Sequence, residues 1–147
     1  MAIVALITWL ITAGFGSWML SIWVRRGGLR REASGPESHL PAVRVFSHFL
    51  LAVAGLIVWI GYLAVDNSTL AWIAFADLVL VAVLGGVLVA RWSQDRRGQA
   101  ASTGGARAAS TDLAEQHFPV VAVALHGVFA VTTLVLVMLT AAGVGGS

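Results

Sequence analysis

Glu37-Ser38-His39-Leu40-Pro41-Ala42-Val43-Arg44-Val45-Phe46-Ser47-His48 returns 78 residues later as Glu115-Gln116-His117-Phe118-Pro119-Val120-Val121-Ala122-Val123-Ala124-Leu125-His126. Continued to Ala52-Val53 and Ala130-Val131, the two copies are identical at eight of seventeen positions. Between them they hold all four histidines of the chain. Each copy runs from a Glu-x-His-x-Pro head into a long apolar stretch. Proline is favoured in the first turn of a helix, where its missing N–H would lack a partner anyway. Pro41 and Pro119 therefore mark two helix entrances, and the chain is expected to consist of two halves of the same build, 1–65 and 70–142.

Composition fixes the solvent of these helices. Of 147 residues, 59% are hydrophobic and 11% charged, with mean hydropathy +0.89, whereas about a quarter of a soluble domain is charged. Four apolar stretches approach the roughly 20 residues that a bilayer core requires: 2–24, 41–65, 70–90 and 118–142. The first is not a cleavable signal peptide. It has no basic segment before it, its apolar run is too long, and its arginines follow it. The fold class predicted is all-α, a polytopic membrane protein forming one four-transmembrane-helix domain over 1–147.

All nine basic residues are arginine, the texture of a GC-rich bacterial genome, and eight of them sit in two loops. Arg25, Arg26, Arg30 and Arg31 lie in loop 25–40; Arg91, Arg96, Arg97 and Arg107 lie in loop 91–117. The turn at 66–69 and both termini have none. The positive-inside bias then puts both loops in the cytoplasm and both termini outside, in a bacterial cytoplasmic membrane. Segment 93–116 reads as a cytoplasmic linker, with a mobile Gly/Ala/Ser/Thr-rich part at 98–110. Each half is thus a span, an arginine loop and a second span, in the same orientation. The first spans agree more weakly, at an offset of 69 that pairs Thr8 with Asp77, Gly16 with Gly85 and Trp23 with Trp92. The expected architecture is a four-helix bundle of two same-orientation hairpins related by a pseudo-two-fold along the membrane normal. Gly14, Gly16, Gly85 and Gly86 would let the helices of each hairpin approach closely.

His48 and His126 lie seven residues beyond the prolines, about 10 Å into the membrane at 1.5 Å per residue. Ionisable groups there are costly and usually functional. A pseudo-two-fold would let the two imidazoles face each other, as axial ligands of one haem iron must. Arg44, one turn nearer the cytoplasm on the same face as His48, has only Ala122 as its counterpart and suits a haem propionate. Phe46, Phe49, Phe129 and Trp59 are candidate ring-edge contacts. The competing reading makes the histidines polar glue, bonded to Ser47, Thr132 or a backbone carbonyl.

His39 and His117 fall at the cytoplasmic surface, about 900° of helix rotation from their deeper partners, and so are poorly placed for a second haem. With Glu37 and Glu115 they form a candidate divalent-metal site; alternatively the glutamates only favour the helix starts electrostatically. Asp77, seven residues into the third span, needs protonation or a hydrogen bond, with Thr8 its first candidate partner and Tyr62 the next. Trp18, Trp23, Trp72 and Trp92 read as interfacial belt residues, and Trp9 and Trp59 as deeper ones.

In size, span count and paired span histidines the chain resembles small four-helix b-type cytochromes of bacterial membranes. That resemblance implies haem b and electron transfer, between a quinone or reductase and a redox partner protein. It departs from them in having no histidine on the first span. Two other functions compete: a proton- or divalent-metal-transporting protein built on the four histidines and Asp77, and a structural subunit of a larger membrane complex. The arginines beside the spans suit lipid head groups better than nucleic acid, and a homo-oligomer is compatible with the chain. The absence of cysteine rules out disulfides, iron–sulfur clusters and thiolate chemistry. No residue pattern decides whether the protein is an enzyme.

Overall fold

The computed structural model describes residues 1–29, 31–32, 35–36, 38–102 and 113–144; Glu37 lies outside them. Helix α1 covers Ala2–Arg25, α2 Ala42–Val65, α3 Ser68–Ser102 and α4 Val120–Ala141. All four are long and apolar enough to cross a membrane. The elements among the described residues are all helical apart from a two-rung antiparallel ribbon, β1 (Arg31–Glu32) with β2 (Gly35–Pro36); they include a 3₁₀ turn at Ala114–His117. That ribbon has no sequence signal beyond its glycine and proline.

Local chemistry sets the helix ends. Pro41 and Pro119 are extended residues immediately before α2 and α4, at φ −62° and −61°. They stand one position outside the first turn expected for them, and their carbonyls accept the first helical N–H bonds. At the opposite end of α2, Asp66 takes a left-handed conformation, φ 49° and ψ 42°. Asn67 then receives the Thr69 N–H on its side-chain oxygen at 2.9 Å, a capping bond of the kind asparagine is selected for. Two residues thereby reverse the chain from α2 into α3. Helices α1 and α4 both stop in a Schellman closure. Gly27 has φ 89° with Gly28 N–H on Trp23 O, and Gly143 has φ 73° with Val144 N–H on Leu139 O.

Helix α3 runs three turns past its expected end at residue 90. Its extension is rich in helix formers, and Gly98 is a tolerable interruption costing about 1 kcal/mol. The expected mobile segment 98–110 therefore begins as helix through residue 102; 103–110 lie outside the described residues.

The most extensive contacts join α2 with α3 and α1 with α4; α3 also packs on α4, and α1 more lightly on α2. The main core gathers at the end away from the arginine loops, with contributions from all four helices: Ala5 and Trp9, Trp59, Ala71, Ala74 and Leu78, Val137 and Ala141. Large apolar side chains such as Ile3, Leu50, Ile57, Val83, Val121 and Val131 stay exposed on the outer faces. Water would penalise such a surface, and lipid accepts it.

Candidate functional site

The structure brings His48 and His126 together. Their ring centroids lie 6.3 Å apart with the planes inclined at 60°, although α2 and α4, which carry them, are not among the packed helix pairs. The reason is that each imidazole is held by a third and a fourth helix. His48 Nδ1 lies 3.0 Å from Val81 O on α3, and His126 Nδ1 lies 3.0 Å from Thr12 O on α1. A carbonyl can only accept, so Nδ1 carries the proton in both rings. In the neutral imidazole, Nε2 is left as the lone-pair nitrogen.

The glycines explain how a helix carbonyl can take this second bond. Gly85 and Gly16 stand four residues after Val81 and Thr12, where a side chain would cover the carbonyl oxygen. A Cβ at Gly85 would meet His48 Cε1 at 3.0 Å, and one at Gly16 would meet His126 Cε1 at 3.1 Å. Both rings are therefore seated against bare backbone. Around them, Phe15 stacks with Phe129 at 6.3 Å and Trp23 meets Phe46 edge-on at 6.3 Å. Trp59 lies in the core at the far end of the helices and Phe49 is half-buried. Arg44 is half-buried one turn from His48 and has no ion pair among the described residues.

A second cluster forms where the arginine loops begin. His39 Nδ1 lies 2.9 Å from Asp95 Oδ1 on the extended part of α3. Its backbone N–H donates to Glu115 Oε1 at 2.6 Å. Ligand atoms of His39, Asp95 and Glu115 all fall within 4.8 Å of one another. Of the surface set expected from the repeat, Glu37 lies outside the described residues. Glu115 of the second copy meets His39 of the first, Asp95 joins them, and His117 does not belong to the cluster. Asp95 carried no signal, because it sits beyond the expected end of its span.

The tryptophans near the span ends match expectation only in part. Trp18 and Trp72 are half-exposed, as belt residues are, but Trp23 and Trp92 are buried. Trp23 Nε1 donates to Ser38 Oγ at 2.9 Å and Trp92 Nε1 to Glu115 O at 3.0 Å. Each indole pins the segment leading into the next span and spends its polar N–H there. Thr8 is not the partner of Asp77. Thr133 donates to Thr8 Oγ1 at 3.0 Å, and Thr8 donates to Ala5 O. Asp77 instead lays its carboxyl on Gly55, beside Trp9, with Oδ2 buried and without a hydrogen bond.

No known protein family, characterised protein or solved structure matches this chain.

Proposed function

We propose that the protein is a b-type haem carrier of the membrane that passes electrons, with His48 and His126 as the two axial ligands of one iron. One observation carries this reading, the separation of the rings. A metal–imidazole nitrogen bond is about 2.0 Å and the nitrogen lies about 1.1 Å from its ring centre, so two rings on opposite sides of one ion would stand about 6.2 Å apart. The distance here is 6.3 Å. The Nδ1 bonds to backbone carbonyls, which the polar-glue reading also expects, are compatible with the proposal. A ligating histidine commonly donates its other N–H to such a partner, which fixes the tautomer and raises the basicity of the ligating nitrogen. Haem would supply a one-electron couple. The residues' part is to hold the iron low-spin and keep water away.

Arg44 is the propionate partner in this proposal. The four spans form a bundle of two like-oriented hairpins, the arginine loops are cytoplasmic and both termini lie outside, and a quinone or a redox protein exchanges electrons with the haem. Duplicate surroundings support the pseudo-two-fold: His48, Val81 and Gly85 correspond to His126, Thr12 and Gly16, contact for contact.

The test is the visible spectrum of protein purified from haem-replete membranes. A Soret band with sharp reduced α and β bands is expected. His48→Ala and His126→Ala should each abolish the low-spin form. Arg44→Ala should keep the haem and lower its potential, because a nearby cation favours the reduced iron. A colourless wild-type protein, or an unchanged spectrum in the double histidine variant, refutes the proposal.

A further inference from the structure

At the level of the arginine loops, Glu115 is completely buried, yet only one of its carboxylate oxygens is engaged. Oε1 accepts the His39 N–H, while Oε2 has no hydrogen-bond partner. Asp95 repeats the pattern, with Oδ1 on His39 and Oδ2 buried and unpartnered. Leaving a buried carboxylate so poorly compensated is expensive; buried charges are normally paired or coordinate a metal. Among the described residues, no arginine side chain forms an ion pair with either carboxylate. The nearby Arg96 instead lies over the Trp92 ring at 5.1 Å.

We propose that His39, Asp95 and Glu115 bind one divalent first-row metal ion at the cytoplasmic end of the helices, separate from the histidine pair within the membrane. The donor set is one imidazole and two carboxylates from three separate segments, the loop before α2, helix α3 and the 3₁₀ turn, with ligand atoms within 4.8 Å. That set suits Zn²⁺, Mn²⁺ or Fe²⁺ in preference to softer ions. His39 and Asp95 also line a cleft of about 430 Å³ with Val87, Ala90, Arg91 and Gln94. The cleft provides an entry path and room for water to complete the coordination shell, as at sites with three protein ligands. Binding converts the His39–Asp95 hydrogen bond into two metal bonds and stabilises the buried end of Glu115. It would tie the loop before α2, α3 and the 3₁₀ turn to one another.

Chelator-stripped full-length protein in detergent should bind one equivalent of Zn²⁺ by calorimetry, with elemental analysis giving one zinc per chain after desalting. Asp95→Asn and Glu115→Gln keep shape and neutral hydrogen bonding while removing the charges. Each should weaken zinc binding on the order of 100-fold, with the circular dichroism of the zinc-free protein unchanged and its thermal midpoint no lower, because a costly buried charge is removed. Any haem spectrum should be unaffected, so failure here is distinguishable from failure of the haem reading. Wild-type protein that binds no zinc, or binding of equal strength in Asp95→Asn, overturns the proposal. Should Glu115→Gln fail to fold, Asp95→Asn at the half-exposed position decides.

Discussion

The bare backbone beneath each histidine can be tested by adding one carbon. In Gly85→Ala the new Cβ lies 3.0 Å from His48 Cε1, whereas carbon contacts are optimal at about 3.5–4.0 Å. The ring must retreat by roughly 0.5 Å or more, which stretches the 3.0 Å Nδ1 bond to Val81 O beyond the usual limit of about 3.2 Å. Overpacking costs about 1–3 kcal/mol, and the strained hydrogen bond about 0.5–1.5 kcal/mol. The better helix propensity of alanine returns up to about 1 kcal/mol. The net expectation is a loss on the order of 1–3 kcal/mol, and the same for Gly16→Ala against His126. The controls are built in. Gly86 and Gly14 lie on the same helices with nothing within 4 Å of an added Cβ, so Gly86→Ala and Gly14→Ala should be neutral or slightly stabilising. Equilibrium unfolding in detergent mixtures reads all four. If Gly85→Ala and Gly86→Ala agree to within about 0.5 kcal/mol, the inferred seating of the imidazole against α3 is wrong.

Two further outcomes are expected. The chain has no cysteine, so Asn67→Cys should label with an impermeant maleimide in intact cells and Ser102→Cys only after permeabilisation; the reverse would invert the proposed orientation. Gly55→Ala drives a methyl into the Asp77 carboxyl and to 3.2 Å from Trp9, for a loss of about 1–3 kcal/mol. Shortening Asp77 to alanine in the same chain should recover part of that loss, and strictly additive losses in the double variant would show that the two residues do not touch.

The four spans and their order were legible because bilayer length and apolarity are properties of contiguous sequence. The helix entrances at Pro41 and Pro119 were legible for the same reason, to within one residue. The meeting of His48 with His126 could be reached from the duplication alone. Their actual acceptors could not, since a backbone carbonyl on another helix leaves no mark except the glycine four residues later. Asp95 escaped notice because a helix continuing into water has no hydropathy signal, and its partners lie 56 and 20 residues away. Trp23 and Trp92 looked like belt residues because an indole near a span end has the same sequence appearance whether its N–H meets lipid head groups or a buried acceptor. The misassigned Asp77 partner has a related cause. A threonine can satisfy itself within its own helix, as Thr8 does on Ala5 O, and then exerts no demand on a neighbour.

The pairing of α1 with α4 has a consequence for biogenesis. Synthesis delivers α2 and α3 in succession through a two-residue turn, so their interface forms from local contacts, which are fast. Helix α1 is made before α2 and α3 but finds its main partner only when α4 arrives, more than a hundred residues after α1 begins. The carbonyl of Thr12 and the imidazole of His126 are therefore joined only after α4 is made, while the seat of His48 on α3 is available earlier. A ribosome that stops short of α4 leaves a membrane intermediate with one histidine placed and its counterpart missing. Such a product lacks the partner ring, so any ligand that the proposed histidine pair holds would require α4 to have been made.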